Sequence, residues 1–126
     1  MAGRVKGLRV TLVVIALLFG SSAASGHAFL DRAEPRVGST VRIAPTQVRV
    51  WFTERLEPAF STLEVLNERG ERVDNGPLQT DESNPDMLQV NLRPIGLGTY
   101  RVKWRVLSVD THVTEGDFTF RVTGDP

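Results

Sequence analysis

Hydrophobic and polar residues alternate with a period of two along most of the chain. In Gln47-Val48-Arg49-Val50-Trp51-Phe52-Thr53, Val48, Val50 and Phe52 fall on one face and Arg49, Trp51 and Thr53 on the other. Successive side chains of an extended chain point to opposite faces, so this is the pattern of a half-buried strand. Thr62 to Leu66 places Leu63 and Val65 together, and Met87 to Leu92 places Leu88, Val90 and Leu92 together. Thr99 to Val106 is the longest run, with Tyr100, Val102, Trp104 and Val106 on the inward face; Phe118 to Val122 turns Phe118, Phe120 and Val122 inward. Asn67-Glu68-Arg69-Gly70 reads as a turn before a short strand, Glu71-Arg72-Val73. No ten-residue window carries a 3.6-residue period, although Leu56 to Ser61 has room for one short helical turn. The polar stretch from Asp74 to Asp86, with Gly76, Pro77, Asn84 and Pro85, reads as a long exposed loop. All the prolines from Pro35 to Pro94 fall between the predicted strands, where a missing N–H does no harm. About seven short strands at this spacing predict an all-β domain, a β-sandwich or small Greek-key barrel.

The first 26 residues do not belong to that pattern. Arg4, Lys6 and Arg9 form a basic region, Val10 to Phe19 is almost unbroken apolar sequence, and Gly20 to Gly26 is a run of small residues. That order is a secretory signal peptide. The apolar run is about half the roughly 20 residues that a spanning helix needs, although an uncleaved anchor is the other reading. Cleavage after Gly26 puts Ala24 and Gly26 at the small-residue positions and gives a mature domain of residues 27–126 beginning at His27. Cleavage after Ala24 would leave Ser25-Gly26 in front.

Removal of 1–26 changes the electrostatic picture. The whole chain has 15 basic and 15 acidic residues. The leader takes Arg4, Lys6 and Arg9 and no acid, leaving 12 − 15 = −3. A mildly acidic domain without a basic cluster is unsuited to nucleic acid. No second apolar run exists, so no membrane span is expected after signal removal. Cysteine is absent, so stability rests on packing, and any metal site must use nitrogen, oxygen or thioether donors.

Only two histidines are present, His27 and His112. An isolated histidine such as His112 is ordinarily a surface or hydrogen-bonded loop residue. His27 differs by position: as a first residue it carries an α-amine of pKa near 8, and its Nδ1 closes a chelate ring with that amine. Asp110 and His112 form a second pair, because residues i and i+2 of an extended chain point to one side. Together these supply three nitrogens and one oxygen, a donor set that suits Cu(II) in a tetragonal arrangement or Zn(II) in a tetrahedral one.

Three ordered blocks resemble the CopC family of periplasmic copper-binding proteins, the CopC/PcoC/YobA group. They are His27-Ala28-Phe29-Leu30 with Pro35 and Gly38, then Phe52-Thr53-Glu54, then Gly98-Thr99-Tyr100 through Trp104-Arg105 to Ser108-x-Asp110-x-His112, followed by Gly116 and Phe118-Thr119-Phe120. The resemblance covers 27–126. It implies an Ig-like Greek-key β-sandwich or barrel and one Cu(II) per chain in a histidine brace. His27 would give its amine and Nδ1, Asp110 a carboxylate oxygen and His112 an imidazole nitrogen, with Glu54 beside the site as a partner of the amine or a bound water. It also implies a periplasmic or otherwise extracytoplasmic location and a CopD-type inner-membrane copper transporter as partner. Some family members carry a methionine-rich Cu(I) site; here Met1 leaves with the leader and Met87 stands alone, so a Cu(II)-only binding protein, not an enzyme, is expected. The alternatives are a copper monooxygenase, since a histidine brace also serves such enzymes, and a metal-free Ig-like interaction module.

Overall fold

A computed structural model describes residues 28–124; the expected signal peptide and His27 lie outside the described residues. The chain forms strands β1 (Leu30–Glu34), β2 (Thr40–Val41), β3 (Gln47–Phe52), β4 (Thr62–Leu66), β5 (Asp74–Asp81), β6 (Asn84–Leu92), β7 (Gly98–Leu107) and β8 (Val113–Val122), with one 3-10 turn at Pro58–Phe60 before β4. Two four-stranded sheets result, in the orders β1-β3-β6-β5 and β2-β8-β7-β4. The short β2 runs parallel to β8, while the other pairings are antiparallel. That is the Ig-like arrangement of a sheet of four facing the sheet that holds the last hairpin, and the sandwich expected from the alternation is borne out. Among the described residues no helix is long and apolar enough to cross a membrane.

The inner faces are those the alternation named. Val48, Val50 and Phe52 from β3 and Leu88, Val90 and Leu92 from β6 meet Leu63, Val65, Tyr100, Val102, Val106, Phe118, Phe120 and Val122 of the other sheet. Burying each such aliphatic or aromatic side chain contributes about 1.5–3 kcal/mol against exposure, so the core needs no metal to hold it. Trp104 points inward as expected but only half-buried. It sits edge-on to Phe52, with centroids 5.1 Å apart, and lies across Gly116, its partner in the β7–β8 ladder. A Cβ on Gly116 would come within 2.6 Å of Trp104 Cζ2, which explains the glycine in an otherwise bulky strand. Tyr100 donates its hydroxyl to the Gly96 carbonyl at 2.8 Å and stacks on Phe120. This ties the start of β7 to the preceding loop, as the tyrosine corner of Ig-like domains does.

The expected loop at 74–86 is a correction. Residues 74–81 form β5, and β6 already begins at Asn84. Two physical features hid the strands. β5 is a sheet edge, so its polar residues and Pro77 leave no interior ladder bond unmade. Its register with β6 also shifts between Asn75 and Gln79 and again before Asp81, which erases the period of two. Pro77 and Pro85 accordingly lie inside strands, not between them. Glu71–Val73 is not a strand but a single bridge, Leu66 to Arg72. β1 and β2 carry too few buried positions to signal themselves.

Asp74 clips the edges of the two sheets together. Its side chain is only 4% exposed and pairs with Arg72 at 2.7 Å, while its Oδ1 accepts the Val65 amide of β4 at 2.9 Å. Burial opposes the charge, but the Arg72 guanidinium and the Val65 N–H outweigh it and hold the carboxyl below its ordinary value. A depressed folded pKa contributes stability that is present above the unfolded pKa and lost as pH falls through the folded one. Asp74→Asn is expected to lower unfolding stability by about 1–3 kcal/mol at neutral pH. The difference from wild type in urea denaturation should shrink as the pH drops below the ordinary carboxylate range.

Candidate metal centre

β7 and β8 pair over ten positions, from Gly98 opposite Val122 to Leu107 opposite Val113. The five residues 108–112 therefore close a hairpin, and the Asp110–His112 spacing lies in its turn. Ser108 donates its amide to the His112 carbonyl at 3.0 Å, and Thr111 donates to the Ser108 carbonyl at 2.9 Å. Thr111 has φ = 71°, the left-handed region in which a β-branched residue is strained. This turn brings the two side chains together: His112 Nδ1 lies 3.4 Å from Asp110 Oδ1, with side chains 49% and 40% exposed. The sequence predicted the pairing correctly for a different reason. An extended segment was expected, whereas a tight turn folds the two groups toward each other.

Ser108, fully buried, donates its hydroxyl to Asp110 Oδ1. That bond, the strongest influence, and then His112 hold the Asp110 carboxyl below its ordinary value despite partial desolvation. The Ser-Asp-His set is not a nucleophilic triad. The serine is inaccessible and its proton goes to the carboxylate, whereas a triad serine gives its proton to the histidine.

Two further segments reach this end of the sandwich. The chain enters the described residues at Ala28, which is fully buried and whose carbonyl accepts the hydroxyl of Thr114 at 2.6 Å. Thr114 stands two residues past His112. Phe29 and Thr53 exchange bonds, Phe29 N to Thr53 Oγ1 at 2.9 Å and Thr53 N to Phe29 O at 2.9 Å. Arg55 accepts the Val109 amide at 3.0 Å. Glu54 thus lies between a residue bonded to the N-terminal segment and one bonded to the hairpin turn. Its side chain is partly exposed. His27 is outside the described residues, and among those described no group of three histidines, cysteines or acids could hold a metal ion. Asp110 and His112 supply one oxygen and one nitrogen, donors that fit a borderline divalent ion such as Cu(II) once further ligands join. Ser108, Thr53 and Thr114 brace this end of the sandwich; Ser108 and Thr53 stand in the quoted blocks, but sequence reasoning gave none of the three a role, and the signal was a hydroxyl residue within two positions of Glu54, Asp110 and His112.

A two-sheet sandwich with a nitrogen–oxygen donor pair on the turn of its last hairpin defines a small β domain with a candidate metal-ion site, distinct from a hydrolase. Residues 30–123 match the CopC domain, and the chain belongs to the CopC family of copper resistance proteins. Protein YobA of Escherichia coli K12 is 31% identical over 97% of this chain and 99% of its own length. Copper resistance protein C of Xanthomonas campestris pv. juglandis is 28% identical over 93% and 96%. Copper transport protein CutJ of Bacillus subtilis is 28% identical over 88% of this chain, which spans only 21% of that protein. Among solved structures, CopC from Methylosinus trichosporium OB3b superposes with a TM-score of 0.74 at 32% identity, covering 79% of this chain and 97% of that one. PcoC from Escherichia coli, described as a methionine-rich copper resistance protein, gives 0.67 at 29% identity over 78% and 100%. This chain has two methionines; Met87 is buried in β6 and Met1 is outside the described residues.

The strain at Thr111 yields a test of the turn. Asparagine tolerates φ near +60° better than threonine. Thr111→Asn is therefore expected to raise the stability of the metal-free protein by about 1 kcal/mol, read from the chemical denaturation midpoint. A loss of stability would mean that the 2.6 Å bond from Thr111 Oγ1 to the Asp110 carbonyl outweighs the strain.

Proposed function

We propose that this chain is an extracytoplasmic Cu(II)-binding protein that holds one ion in a histidine brace. His27 gives its amine and Nδ1, His112 an imidazole nitrogen and Asp110 a carboxylate oxygen, with Glu54 beside the amine. The observation that carries the reading is the convergence at one end of the sandwich. Asp110 and His112 meet at 3.4 Å on the hairpin turn, and the carbonyl of Ala28, one peptide bond from His27, is bonded to Thr114 on the same hairpin. A signal peptide cut after Gly26 would free the His27 amine and place the protein in the periplasm or outside the cell.

Copper is cargo in this reading. The domain serves copper tolerance, storage or delivery to a membrane importer of the CopD type. CutJ supports a transport partner, since that much longer copper transport protein contains a segment similar to this chain. A lone buried Met87 cannot form a thioether cluster for Cu(I), which supports a Cu(II)-only site. The monooxygenase alternative draws no support from these relatives, which are named for copper resistance or transport, and an Asp110 ligand would take a position that oxygen needs.

Competition titration of the exported protein with Cu(II) tests this directly. His112→Ala and Asp110→Ala should each weaken binding by about 100-fold or more, on the order of 3 kcal/mol. Copper should raise the wild-type melting midpoint in proportion to RT ln(1 + [L]/Kd) and leave that of His112→Ala almost unmoved. Affinity unchanged in both variants would rule out these ligands. Intact mass of the exported protein should match a chain starting at His27; a chain starting at Ser25 would remove the amine from the site. Acidification should release the ion, because the amine, both imidazoles and Asp110 all take up protons in competition with it.

A further inference from the structure

One buried hydroxyl holds both residues of the donor pair. Ser108 Oγ donates to Asp110 Oδ1, accepts the His112 amide at 3.4 Å and lies 3.2 Å from the His112 carbonyl. A serine hydroxyl has one proton and two lone pairs, and a carboxylate is a stronger acceptor than a carbonyl. The proton therefore goes to Asp110 and a lone pair receives the His112 amide. Ser108 itself is held from several sides. It is fully buried, its backbone is bonded to Thr111 and His112, and it bridges to Leu56 on the segment that leads into the 3-10 turn.

The consequence for Asp110 is directional. Its Oδ1 already faces both the Ser108 hydroxyl and His112 Nδ1. Among the described residues, no other residue donates a hydrogen bond to Oδ2. A carboxylate pinned by one oxygen presents the other, so it meets an ion through a single oxygen in a fixed direction. Freed of the hydroxyl, it would rotate about its terminal torsion, bind through both oxygens or turn to water, and it would have to be ordered when the ion arrives.

We propose that Ser108 is a positioning residue for the metal: its buried hydroxyl fixes the Asp110 carboxylate so that Oδ2 alone is offered to the ion, and anchors the His112 backbone at the same time. The assignment rests on Asp110 and His112 being the copper ligands, and the test separates the two ideas. Ser108→Ala and Ser108→Thr are compared with wild type and His112→Ala, each titrated with Cu(II) against a competing chelator and measured by electron paramagnetic resonance when loaded.

Ser108→Ala should bind about 10–100-fold more weakly, the usual effect of removing a group that orients a ligand. Its copper hyperfine splitting should be altered and more heterogeneous, and Ser108→Thr, which keeps the hydroxyl, should recover the wild-type spectrum. Wild-type affinity and spectrum in Ser108→Ala, with binding still lost in His112→Ala, would overturn the positioning role and leave the ligands standing. A fall in the apo melting temperature of Ser108→Ala with an unchanged copper spectrum would also overturn it, since the hydroxyl would then serve the fold alone. If His112→Ala binds like wild type, the ligand assignment fails and the role of Ser108 fails with it.

Discussion

The ten-position antiparallel register of β7 with β8 is the constraint on which the site depends. A ladder that starts at Gly98–Val122 and ends at Leu107–Val113 leaves five residues to reverse the chain. A reversal that short has few conformations, and the one adopted puts Thr111 in the left-handed region. Slipping the ladder by one residue would turn Phe118, Phe120 and Val122 out of the core. The burial of these three side chains therefore fixes where Asp110 and His112 meet, although neither residue is itself in the core. Gly116 belongs to the same constraint, because Trp104 occupies the space above it.

The N-terminal segment reaches the same end of the molecule through hydrogen bonds more than through burial. Apart from Ala28, its anchors are exposed backbone groups and threonine hydroxyls, Thr53 for Phe29 and Thr114 for Ala28. Bonds of this kind contribute about 1 kcal/mol each. The hairpin turn is held by a buried serine beneath and a ten-position ladder behind. The segment that enters at Ala28 is tied to both sheets, through Thr53 after β3 and Thr114 of β8.

The fold was legible wherever one face of a strand is buried. β3, β4, β6, β7 and β8 showed their alternation, and the apolar residues picked from it line the core. β5 was illegible because an edge strand with two register shifts has no face to alternate, and β1 and β2 because they bury too little. For the site, Asp110 and His112 could be read as a pair from spacing and from family resemblance, but the turn that joins them could not, since threonine does not announce a positive φ. The buried hydroxyl of Ser108 was part of the motif yet carried no visible role, because only the folded hairpin shows which group its proton meets. Glu54 was read from the resemblance as a neighbour of the site; it stands between Thr53, bonded to the N-terminal segment, and Arg55, bonded to the hairpin turn.

The claim at the centre is that the exported chain offers Cu(II) three nitrogens, two from imidazoles and one from the amine of His27. Electron–nuclear double resonance on the copper-loaded exported protein, with nitrogen-15 confined to the histidine rings, separates them. Two strong nitrogen-15 couplings together with one remaining nitrogen-14 coupling from the amine are expected. Ring couplings alone, or a single ring coupling, would contradict it.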